Sequence, residues 1–169
     1  MSRTITINPF DPASVRAAAN EIREYAKWVE ARTTELVERL ADYGLTRVRM
    51  GYDAALFDED KEVRDVDVSV ENRGENTYAI VASGHDVLFL EFGSGIKYGD
   101  GHPLNADFGM GPGTYPGQTH VPDPGYWYYT GADGESHSSE GNAPSMVMYL
   151  TGMELEAELL RIAREVFNS

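Results

Sequence analysis

The 169-residue chain, 41% hydrophobic, is long enough for one domain with a single core. It has no cysteine, which excludes disulfides, thiolate metal sites and a cysteine nucleophile. Its formal net charge of -14, from 28 acids and 14 bases, opposes phosphate backbones and anionic membranes, so neither sequence-specific nucleic-acid binding nor membrane association is expected.

The N-terminal MSRTITINPFDPAS has no apolar run after its arginine, and no stretch reaches the length of a membrane span. A soluble protein without a signal peptide, made in a reducing cytoplasm, is therefore expected. Asp11-Pro12 then reads as a helix start, a capping side chain followed by proline at the first helical position. Apolar residues recur by threes and fours from Val15 to Leu40, and Gly44 is the expected stop. Such a Pro12–Tyr43 helix would run roughly 45 Å at about 1.5 Å per residue. So long a helix seldom covers a small core alone, and part of it is expected to pack on another subunit. Arg32-Thr33-Thr34 interrupts the stripe, marking a bend or a polar contact.

Strands are expected next. Thr46, Val48, Met50 and Tyr52 alternate with polar or small residues, and Val66, Val68 and Val70 alternate with acids and Ser69. Asn72 to Asn76 reads as a turn, pairing Val66–Val70 with Tyr78–Ala82 as an antiparallel hairpin. The nine acids between Asp53 and Glu75, against Lys61, Arg64 and Arg73, read as a solvated face. Ser83-Gly84-His85-Asp86 has the form of a capping box, which makes Val87–Phe92 a short helix. A buried strand is the alternative.

From Gly93 to Gly141 lie twelve of the 17 glycines and five prolines. Only Tyr126–Thr130, followed by Gly131-Ala132-Asp133-Gly134, reads as a hairpin arm. Tyr98, Phe108, Tyr115, Tyr126, Trp127, Tyr128 and Tyr129 set this segment apart from disordered tracts, and they need a surface to pack on. Pro144-Ser145 opens a final helix to Phe167, with acids early and Arg161 and Arg164 late. The expected class is α+β. A single domain, 1–169, would pack a small antiparallel sheet with a long N-terminal helix and a C-terminal helix, and 93–143 would form an extended Gly/Pro/aromatic loop.

The chain has no GxSxG elbow, HExxH pair or Walker loop. Gly109-Met110-Gly111-Pro112-Gly113 superficially resembles a phosphate cradle, but no helix follows it and Pro112 removes a donor. His85, His102, His120 and His137 are evenly and widely spaced, unlike zinc ligands, and no metal or other cofactor is expected. Glu91 stands inside the apolar run VLFLEF, where a carboxylate without partners is costly. With no nucleophile or second acid beside it, a structural role is expected, either accepting backbone amides or pairing with an arginine of the long helix. On that reading Glu91→Gln keeps most of its hydrogen bonds and costs little.

Four pieces carry a resemblance: VLFLEFGSG (87–95), GMGPGTYPG (109–117), GYWYY (125–129) and GNAPS (141–145) before a methionine-rich helix. In this order they resemble the tail-completion or neck proteins of lambdoid long-tailed bacteriophages. The match runs from about Tyr78 to the C-terminus, and it departs at Val147-Met148, where many relatives carry a proline-phenylalanine or similar pair. The resemblance implies a non-enzymatic virion protein, made in the bacterial cytoplasm, forming a homo-oligomeric ring between head connector and tail. It implies assembly contacts through Phe92, Gly93, Tyr98, Phe108, Tyr115 and Tyr126 to Tyr129, and partners among the connector and the tail-tube or tail-terminator proteins. The alternative from the residues alone is a carbohydrate-binding module or small hydrolase that stacks Tyr126–Tyr129 on ligand, or, third, a toxin or regulator encoded in a prophage.

Overall fold

The structure is a computed structural model that describes residues 4–55, 65–97, 101–110, 127–130 and 133–168. Tyr98, Tyr115, Tyr126, His120, the end of the GMGPG stretch and the acids from Asp58 to Glu62 lie outside these residues. The chain runs α1 (Pro12–Ala54), β1 (Asp67–Asn72), β2 (Tyr78–Ser83) and α2 (Val87–Phe92), then a 3-10 turn at Gly95–Lys97. It continues through β3 (Trp127–Thr130), β4 (Ser136–Ser139) and α3 (Val147–Asn168). The α+β class expected from the sequence is the one observed.

Helix α1 starts where Asp11-Pro12 places it. Asp11 is extended, and its carboxylate accepts the Ala13 amide at 2.9 Å. The end differs from expectation: α1 has 43 residues and runs through Gly44 into the stretch expected as a strand. At Gly44 a Cβ would stand 2.3 Å from Ile80 Cδ1 and 3.1 Å from Leu155 Cδ1, so this glycine permits close packing instead of ending the helix. The alternation at Thr46, Val48, Met50 and Tyr52 hid the helical set. Val48 and Tyr52 are buried with Leu45 beside them, spaced three and four, while Met50 is exposed. Thr46 donates back to the Asp42 carbonyl at 2.9 Å, as a helical threonine does. Thr34 uses its hydroxyl for a polar contact, 2.7 Å to Asn76 in the hairpin turn.

The β1–β2 hairpin pairs Val70 with Ile80 and Val68 with Ala82. Its turn closes with Arg73 N–H on the Thr77 carbonyl (2.8 Å), through left-handed Gly74, Glu75 and Asn76. One face of the hairpin lies on α1, and the core joins Val48, Tyr52, Ala55, Val68, Leu90 and Val147. The capping box does not form. Ser83 is held in the ladder opposite Asp67, and the Asp86 carboxylate accepts the Asp65 amide at 2.9 Å. Val87–Phe92 is helix, not strand.

Helix α3 lies antiparallel along α1. Trp28 meets Phe167 edge-on at 5.7 Å, a Cβ at Gly44 would meet Leu155, and one at Gly51 would stand 2.5 Å from Val147 Cγ1. Midway, Glu154 accepts from Arg47 Nε (2.7 Å) and from the Tyr43 hydroxyl (3.0 Å). The hydrogen bond from Arg47, then that from Tyr43, holds the Glu154 pKa below its usual range. A carboxylate depressed on folding stabilises above its unfolded pKa, and that contribution fades as pH falls through the folded one. Glu154→Gln should therefore unfold at lower denaturant than the parent at neutral pH, with the gap closing in acid. Denaturation midpoints at both pH values check it, and a gap unchanged by pH refutes the pairing.

Candidate functional site

Two segments some fifty residues apart close on each other where α2 ends and α3 begins. Ser145 N–H donates to the Leu90 carbonyl (2.7 Å), Met146 N–H to that of Glu91 (3.2 Å) and Ser94 N–H to that of Asn142 (2.8 Å). Asn142 N–H returns to the Ser94 hydroxyl at 3.0 Å. This approach demands glycine. At Gly93 (φ 83°) a Cβ would stand 2.6 Å from the Asn142 carbonyl oxygen, and at Gly141 (φ 80°) 1.9 Å from that of Ser94. Because Ser145 is bonded to α2 and Met146 is left-handed (φ 52°), α3 starts at Val147 and not at the expected Pro144.

Met146 cannot supply the side-chain oxygen that a helix N-terminus usually receives. Glu91 supplies it from α2. Its Oε2 accepts Met148 N–H at 2.9 Å and its Oε1 accepts Tyr149 N–H at 3.0 Å, which places a carboxylate on the positive end of α3. His102 comes from the segment between the glycines and points its Nε2 at Oε1, 3.3 Å away. Its Nδ1 accepts the Leu104 amide at 3.1 Å, so the ring proton sits on Nε2 and is donated to Glu91. The buried Tyr52 phenol faces the same carboxylate. Burial, followed by that charge, pushes its pKa upward. Glu91 and His102 are only 6% and 4% exposed, and the rings of Phe92 (4.2 Å) and Tyr149 (5.6 Å) pack on the imidazole.

Both carboxylate oxygens of Glu91 and both imidazole nitrogens are thus engaged inside the subunit, and the arrangement acts as a clamp. The open cleft of about 500 Å³ nearby is lined by Gly51, Ala54, Ala55 and residues 142–145, and not by Glu91, His102 or Tyr52. The described histidines do not gather. His85 is exposed against Phe89, and His137 reaches Asp133 (3.0 Å) on the β3–β4 hairpin. Among the described residues no three His, Asp or Glu side chains form a group able to hold a metal.

The residues assigned to an assembly loop separate into two sets. Phe92 and Gly93 belong to the interior of the subunit: Phe92 is buried against His102 and Phe108, and Gly93 lies in the backbone clamp. Phe108 and Tyr128 are exposed. Trp127 and Tyr129 lie with Tyr128 on β3, opposite Ser139 and His137 of β4, so this part of the glycine-rich segment forms its own two-stranded sheet. His102 and Tyr52 were not linked to Glu91 by sequence. The sole signal was Glu91 itself, a carboxylate in an apolar run that had to have partners. The chain matches no protein-family model, no curated protein and no solved structure.

Proposed function

We propose that this chain is a non-enzymatic structural protein of a long-tailed bacteriophage or prophage. In this reading it completes the neck as a ring of identical copies between the head connector and the tail. The observation that carries the reading is the four sequence pieces, in the order seen in phage tail-completion proteins, combined with what two of them do. VLFLEFGSG and GNAPS are the two halves of one clamp, and GYWYY enters β3 on the excursion between them.

A clamp of this kind suits an assembly protein. It ties both ends of residues 96–140 to a packed helical body, and the excursion carries aromatic side chains at its surface, Phe108 and Tyr128 among them. The acidic balance suits a ring through which DNA must slide without sticking. Particle assembly tests the reading. Deleting the gene should leave filled heads and separate tails, and Tyr128→Ala, which removes no core contact, should do the same in milder form while the purified protein stays folded. Normal infectious particles from the deletion overturn it.

A further inference from the structure

Two helix faces of this subunit are apolar and open to solvent. On α1 they are Val15, Ile22 and Tyr25, and on α3 they are Leu150, Met153 and Leu160, each 44–66% exposed. The spacing is seven then three on α1, and three then seven on α3. Laid antiparallel, the two stripes match at every position: Val15 on Leu160, Ile22 on Met153, Tyr25 on Leu150. Exposed Ala157 falls opposite Ala18, which the subunit itself already buries, so the open part of the α1 stripe is Val15, Ile22 and Tyr25. A 3.5-residue repeat of this kind is the seam along which two helices pack.

The two stripes cannot meet within one subunit. The chain's own α1–α3 pairing sets Trp28 against Phe167, at the end of α3, so the exposed Val15, Ile22 and Tyr25 lie beyond its reach. The buried positions of α3, Val147, Thr151, Ile162 and Val166, face α1 and the core, and the Leu150–Leu160 stripe lies on roughly the opposite side at about 100° per residue. We infer that a second copy of this chain covers both faces, the start of α1 from one copy lying antiparallel on the outer face of α3 in the next. The inference rests on the assembly reading above and adds the surfaces that would join the copies.

Charge favours this pairing over its rivals. Residues 12–32 hold four bases (Arg16, Arg23, Lys27, Arg32) and three acids, whereas α3 holds four acids and two bases in a chain of net charge -14. An α3–α3 contact brings two acidic helices together, and an α1–α1 contact gains no opposite charge. One like-charge pair, Glu21 and Glu156, flanks the seam, and both side chains are solvent-exposed, where such a pair counts for little. The contact is heterologous, since each copy offers one stripe and receives on the other. Such contacts close into rings when the rotation permits.

The absence of cysteine makes the test clean. Ile22→Cys and Met153→Cys are made separately in the full chain, mixed and oxidised at the highest soluble concentration. The expected result is a disulfide between the two variants, with neither variant cross-linking to itself. Ile22→Asp, at an exposed position, should weaken self-association by at least about tenfold in sedimentation equilibrium while leaving the circular dichroism unchanged. Multimers that lack the 22–153 cross-link, or that link 22 to 22 equally well, overturn the assignment of surfaces and leave the ring reading standing. A 22–153 cross-link confined to two copies supports the surfaces and removes the ring. A chain that stays monomeric overturns the inference, and the ring reading is then decided by the particle experiment.

Discussion

Glu91→Leu should destabilise the protein by on the order of 4 kcal/mol, with Glu91→Gln costing about half as much, because buried donors left without an acceptor cost roughly 1–3 kcal/mol each. Leucine matches the apolar company of α2 but strands three N–H groups, those of Met148, Tyr149 and His102. The two amides belong to the first turn of α3 and have no intrahelical acceptor. His102 cannot answer by switching tautomer, since its Nδ1 already accepts from Leu104. Glutamine keeps one acceptor oxygen. Placed at Oε1 it still serves Tyr149 and His102, but its NH₂ group then points at the Met148 amide, donor against donor. The sequence-based expectation that glutamine is benign is corrected by this geometry, because both oxygens are in use. Urea unfolding of the three proteins measures the effect. A Glu91→Leu protein within about 0.5 kcal/mol of the parent, the range of ordinary surface changes, removes the clamp from the account.

The parts legible in the sequence were those governed by local chemistry. Asp11 and Pro12 start α1 because a cap and a ring-fixed φ act within one turn. Val68, Val70, Ile80 and Ala82 find their register because alternation and a turn decide it. The parts not legible were set by distant neighbours. Gly44 looks like a stop until Ile80 and Leu155 are seen pressing on it. A period of two at 46–52 mimics a strand, although Val48 and Tyr52 are buried on a helical face with partly buried Leu45 beside them. Phe92 looks like the start of a contact loop, yet His102 and Phe108, ten and sixteen residues further on, fold back to cover it. Glu91 was recognisable as a carboxylate requiring partners. That the partners are the amides of a helix beginning 56 residues later was not.

Among the described glycines, Gly141→Ala should be one of the most damaging methyl additions, lowering stability by about 4 kcal/mol or more as backbone strain adds to overpacking. The added Cβ would lie 1.9 Å from the Ser94 carbonyl oxygen, 2.3 Å from its carbon and 2.7 Å from Gly95 Cα. All three are backbone atoms, so no side chain can swing aside. Relief requires the 93–95 and 141–144 segments to part, which breaks the Ser94–Asn142 hydrogen bonds at 2.8 and 3.0 Å. Gly134→Ala is the built-in control. Gly134 has nearly the same backbone angle (φ 78° against 80°), but nothing lies within 4 Å of its added methyl. It bears only the left-handed penalty of roughly 1–2 kcal/mol. Both changes also restrict the unfolded chain, by about 0.4–1 kcal/mol, and that contribution cancels between them. The difference between the two variants therefore isolates the close approach of the clamp. In thermal unfolding, at roughly 2–4 °C per kcal/mol for a domain of this size, Gly141→Ala should melt at least several degrees below Gly134→Ala. Equal melting temperatures would mean that the two halves of the clamp do not touch.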